Sequence, residues 1–260
     1  MRYSKNYPMS NDRIVSRWAL LGSMMAVLFF VTVSLHAQEE SADAKSSKQK
    51  PPRGLTSYMG RRVALPMSYH GIPWLNRPER VDEEKPSEML EQLRLMNGMT
   101  VCDMGSGDGY YTFKMASLVA PRGRVIAVDI QPEMLQALSR RMQEIKVENI
   151  DTVLGELWDP KLEASSLDVV LMVDVYHEFS HPVQMLAAIR KALKPDGVIA
   201  LVEFRAEDPT VPIKPEHKMT KAQAIKEYRA NGFKLVREYD KLPQQHLMFF
   251  GRDEEWQPKD

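Results

Sequence analysis

From Ser87 to Arg252 the chain alternates short apolar, β-branched runs with longer runs whose apolar residues recur at helical spacing. A parallel sheet with crossover helices is written this way, because each strand buries two faces and each helix one. The pattern predicts strands over 100–104, 124–129, 150–154, 168–173, 198–204, 233–239 and 246–252. Helices fall between most of them. "PSEMLEQLRLM" starts with Ser87 after a proline and puts Met89, Leu90, Leu93 and Leu95 on one face. "PEMLQALSRRMQEI" and "PVQMLAAIRKAL" each open with a proline suited to a first helical turn, and "KPDG" ends the second as a stop and turn. Thr220 and Gln223 form a capping-box pattern for a helix through Tyr228, and "NGF" at 231–233 releases the chain into a strand. The expected fold class is α/β: a doubly wound, mostly parallel, seven-stranded sheet with helices on both faces.

Upstream the pattern changes. Trp18 to Leu35 carries no charge and follows Arg2, Lys5, Arg13 and Arg17, the layout of an export signal or a membrane anchor. Two outcomes stay open, cleavage after Ala37 or retention of residues 18–35 as an anchor. In both, the basic residues stay inside and the rest goes out, so the expected location is exported, periplasmic or otherwise extracytoplasmic. The expected organisation is a signal or anchor over 1–37, a polar linker over 38–56, an aromatic lead segment over 57–86, the α/β domain over 87–252 and a tail over 253–260.

Charge and cysteine content narrow the partners. Lys plus Arg and Asp plus Glu both total 35, which gives no electrostatic footprint for nucleic acid. No protein partner is predicted. Cys102 is the only cysteine, so the chain has no internal disulfide; inside a strand it reads as a small core residue.

Within "VCDMGSGDGYYT", Gly105, Gly107 and Gly109 alternate at the first strand-to-helix turn, where ligands of doubly wound sheets bind. Bare backbone there lets a ligand approach closely, and the next helix offers free N–H groups to a carboxylate. The third glycine of a dinucleotide fingerprint would fall at Tyr110, and Asp103 puts a negative charge where a pyrophosphate would lie. An amino acid ammonium suits that charge better. Asp129 ends the second strand twenty residues after Gly109, placed to accept both hydroxyls of a ribose. A ribose joined to an amino acid describes S-adenosylmethionine.

"DMGSGDG" with "VIAVDI", continued by "LDVVLMVDVYHEF", "ALKPDGVIALVEF" and "NGFKLV", resembles the class I S-adenosylmethionine-dependent methyltransferases over roughly Lys85 to Arg252. With "YHGIPWLNRPER" and the export signal, the chain is similar to exported bacterial methyltransferase-domain proteins. The resemblance implies a Rossmann-like fold, S-adenosylmethionine as cofactor and in-line transfer of its methyl group to a small-molecule acceptor. It also implies that Asp103 and the turn of Gly105, Ser106, Gly107 and Gly109 hold the methionine end, and that Asp129 holds the ribose. Ile130 would press on the adenine, Glu156 or Asp159 would meet its amino group, and Asp174 and Tyr176 would line the transfer site.

His177 follows the strand end in "VDVYHEF" and is a candidate base, its alternative being a place in a helix start with Glu178. Asp174, His177, Glu178 and His181 lie close in sequence, yet no second acidic pair completes an octahedral oxygen set, so no metal is expected. The lead segment, with Tyr58, Tyr69, His70 and Trp74, reads equally as a lid or as a strap outside the sheet, and the loop 205–219 reads as a second acceptor wall. Two other functions remain open: an exported S-adenosylmethionine-binding sensor or scavenger without turnover, and a nucleotide-binding oxidoreductase, against which Tyr110 argues.

Overall fold

The computed structural model describes residues 52–258. The signal or anchor over 1–37 and most of the linker lie outside the described residues. Among the described residues no helix is long and apolar enough to cross a membrane.

Among the described residues, nine strands and seven α-helices follow in chain order. A two-stranded hairpin, β1 (Ser57–Tyr58) and β2 (Arg61–Arg62), precedes α1 (Ile72–Leu75), α2 (Arg80–Glu84) and α3 (Pro86–Gln92). Then come β3 (Thr100–Met104), α4 (Thr112–Val119), β4 (Arg124–Asp129), α5 (Pro132–Ile145), β5 (Ile150–Leu154) and β6 (Leu167–Val173). The last described elements are α6 (Pro182–Ala192), β7 (Leu193–Phe204), α7 (Lys221–Ala230), β8 (Phe233–Tyr239) and β9 (Gln245–Arg252).

β3 to β9 form one mixed sheet in the order β5-β4-β3-β6-β7-β9-β8. β3 to β7 run parallel, and β9 is antiparallel to both of its neighbours. Alternation along the strands sends neighbouring side chains to opposite faces. Val101, Val169 and Leu171 join the core under α4 and α5, while Cys102, Val170 and Met172 join the core with α6 and α7. The chain winds outward from β3 to β5 and then returns to β6 on the other side of β3, so the switch point lies at the carboxyl ends of β3 and β6.

Three sequence expectations change. "KPDG" is not a turn that ends before the strand: β7 pairs Leu193 with Leu167 and Val198 with Val169, so three extra residues bulge out, and Lys194 Nζ is tied to Asp168 at 2.7 Å. The helix read from Ser87 starts at Pro86 and stops before Leu93, with Arg94 left-handed at φ 51°. Thr220 Oγ1 does accept from Gln223 N–H at 3.0 Å, but the Gln223 side chain reaches Glu227 and does not close the box.

Candidate active site

The turn after β3 is built by glycine. Gly105, Gly107 and Gly109 adopt φ of +72°, +55° and +95°, a region costly for residues with a Cβ. A Cβ on Gly105 would lie 2.5 Å from Val175 Cγ2, so the turn and the end of β6 meet only because that atom is missing. Gly105 and Ser106 N–H donate to Val128 O at 2.8 and 3.0 Å. Gly107 N–H donates to Asp129 Oδ2 and Gln131 N–H to Asp129 Oδ1, both at 2.9 Å. Asp129 therefore fastens the glycine turn to β4 while facing the cavity beside it.

The cavity lies at the switch point. Gly105 and Gly107 form its floor, Asp129 and Ile130 come from the end of β4, Glu156 and Leu157 follow β5, and Asp174, Val175 and Glu178 follow β6. Pro66, Met67, Trp74, Leu75 and Arg80 of the lead segment close the opposite side. Four carboxylates thus share this wall with a single cationic side chain, and Arg80 is already paired with Glu84 at 2.6 Å. The wall therefore carries more acidic than basic side chains.

Asp174 is the most constrained group on the wall. Its backbone is left-handed at φ 52°, and Gln245 Nε2 donates to its Oδ2 at 2.7 Å. Oδ1 is buried and has no partner. Burial, with the nearby Glu84 and Glu203 carboxylates, holds the Asp174 carboxyl well above the usual carboxylate range. Burial also pushes Glu178 up to about 7.

Other predicted residues sit behind this wall. Asp103 is 4 % exposed beneath the turn and accepts from Thr112 Oγ1 at 2.6 Å. Ser106 and Gly109 shape the turn without lining the cavity, and Ser106 Oγ is buried without a partner. Tyr176 is a correction: its ring is fully buried among Tyr228 and Phe179, and its hydroxyl donates to Glu227 at 2.8 Å. His177 is a second, since it is 2 % exposed, off the cavity wall, with Nδ1 2.6 Å from Glu203 Oε2 and Nε2 3.0 Å from His217 Nδ1. The short turn after β6 points His177 toward β7 and leaves Glu178 on the cavity side.

Between Glu156 and Asp159, Glu156 reaches the wall, while Asp159 accepts from Lys161 N–H at 2.8 Å. The loop 205–219 does not line the cavity. The lead segment divides. Its first part is a strap, with Arg61 paired to Glu227 at 2.7 Å and Tyr58 bonded to Asn231 at 2.8 Å, whereas 66–80 supplies the cavity's far wall. Tyr69 and His70 stack on each other outside the wall.

Burial carries a consequence for stability that needs no ligand. It raises the Asp103 carboxyl to about 6 from 3.8, partly offset by the Thr112 hydroxyl. The folded chain therefore holds this proton more tightly than the unfolded one, and the cost of the buried charge appears as pH rises through about 6. Asp103→Asn removes that cost. Its unfolding free energy is expected to exceed the parent's at pH 7 to 8 by on the order of 1–3 kcal/mol, read as a higher melting temperature, with the difference closing toward pH 4. A variant that melts lower than the parent across the whole range would make the carboxylate a structural necessity.

A family model described as a methyltransferase domain matches residues 95–247. The chain belongs to this family. It is 27% identical over 127 residues to the demethylmenaquinone methyltransferase of Lactococcus lactis, covering 49% of this chain and 50% of that one. It is 32% identical over 104 residues to the arsenite methyltransferase of Halobacterium salinarum, covering 40% and 27%. The chain spans half or less of the length of these curated relatives. A solved S-adenosylmethionine-dependent methyltransferase from Aquifex aeolicus shares the fold, with a TM-score of 0.67, 23% identity and coverage of 71% of this chain and 98% of that one.

Membership implies S-adenosylmethionine as cofactor, and the cavity fits it. Its sulfonium and ammonium are both cations, and the surplus of carboxylates suits them. The glycine floor admits a close ligand, and the orphaned Asp174 Oδ1 lacks a partner that a bound molecule would provide.

Proposed function

We propose that the chain transfers a methyl group from S-adenosylmethionine to a small-molecule acceptor. The observation that carries this reading is the wall of Asp129, Glu156, Asp174 and Glu178 around a glycine floor at the switch point of the sheet. Such a wall repels a pyrophosphate, which disfavours a nicotinamide dinucleotide, and attracts a cation.

The bound cofactor supplies an electrophilic methyl on a sulfonium, so the protein's work is binding, alignment and exclusion of water. Asp129 accepts the ribose hydroxyls with the lone pairs left over from Gly107 and Gln131. Ile130 and Leu157 pack against the adenine. Glu156 accepts from the adenine amino group, in competition with Lys161, which lies 2.8 Å away. Asp174, held by Gln245, presents Oδ1 to the acceptor and takes its proton. The apolar face of Met67, Trp74 and Leu75 covers the acceptor side and keeps bulk water out.

The test is calorimetry of the full chain with S-adenosylmethionine, S-adenosylhomocysteine and NADH, followed by S-adenosylhomocysteine release in a small-metabolite extract. Binding of the first two with turnover is expected. Binding of NADH alone would replace the proposal with an oxidoreductase, and tight binding of S-adenosylmethionine without turnover on any fraction would make the chain a sensor or scavenger.

A further inference from the structure

We propose that His177, Glu178 and His217 form a binding site for one divalent transition-metal ion of the zinc class, at the edge of the cavity. His177 and Glu178 come from the turn after β6. His217 arrives from the loop 205–219, forty residues away in sequence. The inference does not depend on methyl transfer.

The donors converge. His177 Nε2 lies 3.0 Å from His217 Nδ1 and 3.9 Å from Glu178 Oε1, and one donor atom from each residue falls within 4.8 Å of the others. Tetrahedral zinc ligands at their usual bond lengths are about 3.3 Å apart, so small side-chain rotations suffice to close the set. Two imidazoles and one carboxylate suit zinc or its neighbours rather than magnesium or calcium, which take oxygen. Three protein ligands leave a fourth position for water or another donor.

A second observation lies behind the histidine. Glu203, whose side chain is fully buried, holds His177 Nδ1 at 2.6 Å and accepts from the His177 N–H at 3.1 Å. This carboxylate keeps the proton on Nδ1 and aims the Nε2 lone pair at His217, the arrangement that orients metal-bound histidines. Charge points the same way. Glu203 and Glu178 are two acidic groups beside two imidazoles, with the Arg61 guanidinium bonded through Nε to Glu227 and through Nη1 to the His177 carbonyl. One divalent ion neutralises both carboxylates, whereas a single imidazolium neutralises only one.

The loop that brings His217 is held in place. Met219 N–H donates to Phe204 O at 3.0 Å, Ala206 N–H donates to Met219 O at 3.2 Å, and Arg205 bonds the Asp240 and Leu242 carbonyls at 3.0 and 3.1 Å. His181, which shares the local sequence cluster, is not a ligand: its ring is spent on Ser180 and the Pro52 carbonyl.

The experiment uses the full, untagged chain, freed of metal by a chelator and titrated with zinc by calorimetry and with cobalt(II) by visible absorption. One ion per chain at micromolar affinity or tighter is expected, with the intense visible bands of four-coordinate cobalt. His217→Ala, on a half-exposed loop side chain, should keep the metal-free melting temperature and bind at least 10-fold more weakly, while Glu203→Gln should weaken binding by about 10–100-fold. His217→Cys should restore binding and add a thiolate-to-cobalt charge-transfer band. Absence of saturable binding by the parent, or a His217→Ala variant that binds as the parent does, would overturn the site.

Discussion

Asp174→Asn is expected to lower methyl transfer about 10²–10⁴-fold while raising the melting temperature of the ligand-free chain. The two effects come from one cause. Asp174 is a carboxyl in a buried, left-handed position with one oxygen held by Gln245 and the other bare, and burial holds its proton far more firmly than in water. Asparagine tolerates that backbone and keeps the shape, yet carries no charge to bury and cannot take a proton. Because the folded-state pKa is raised, the stability gained by asparagine grows as pH rises above the ordinary carboxylate range and vanishes below it. On the proposed mechanism a cation in the cavity would favour loss of the Asp174 proton, since an opposite charge nearby favours the ionised form. The check is S-adenosylhomocysteine release set against thermal melting. A variant that loses activity and stability together would mark Asp174 as structural, and one that keeps full turnover would remove it from the chemistry.

Gln245 shows where sequence reading stops. The strand "HLMFFGR" was legible by its apolar run, but nothing in the run says that Gln245, the residue just before it, reaches across the sheet end to hold Asp174. Six of the seven strands of the large sheet were read to within a residue, since burial on both faces leaves few alternatives for runs such as "LDVVLMV", whereas β7 starts five residues before its apolar run because the bulged "KPDG" stays paired to β6. The glycine turn was legible for the same local reason, its spacing fixing backbone shape. Tyr176 and His177 were misplaced because a short 3-10 turn rotates three consecutive side chains in different directions, and no periodicity governs a single turn. Which of them faces the cavity is decided by Glu203 and Glu227, far away in sequence, whose buried carboxylates claim the histidine and the tyrosine hydroxyl. Glu203 did leave a trace, an acid inside the apolar strand "VIALVEF", where an unpaired charge would be costly. The lead segment held two roles at once, and its aromatic composition could not divide them. Arg61 belongs to a strap because Glu227 waits for it, whereas Trp74, carried on α1 with Arg77 over its ring at 3.8 Å, belongs to the cavity wall.

Asp129→Ala is the change that tests the cofactor site most directly, and it should weaken S-adenosylmethionine by about 1.5–3 kcal/mol, a factor of roughly 10 to 150. The loss has two parts. The ribose hydroxyls lose a charged acceptor, and the N–H groups of Gly107 and Gln131 lose the carboxylate that joins the glycine floor to β4. A third effect, long-range attraction between the carboxylate and the sulfonium, is separable because S-adenosylhomocysteine has the same ribose and a neutral thioether. If Asp129 acts on the ribose and the turn, both ligands should weaken by the same factor and their affinity ratio should match the parent's. A fall confined to S-adenosylmethionine would mean that Asp129 contributes only its charge, and unchanged affinity for both would end the ribose assignment. Burial raises the carboxyl of Asp129 above its ordinary range against the pull of its backbone hydrogen bonds, so the parent's affinity for both ligands should fall as acidification protonates this group. Calorimetry across pH, on parent and variant, reads that dependence directly: whatever share of it belongs to Asp129 disappears in the alanine chain.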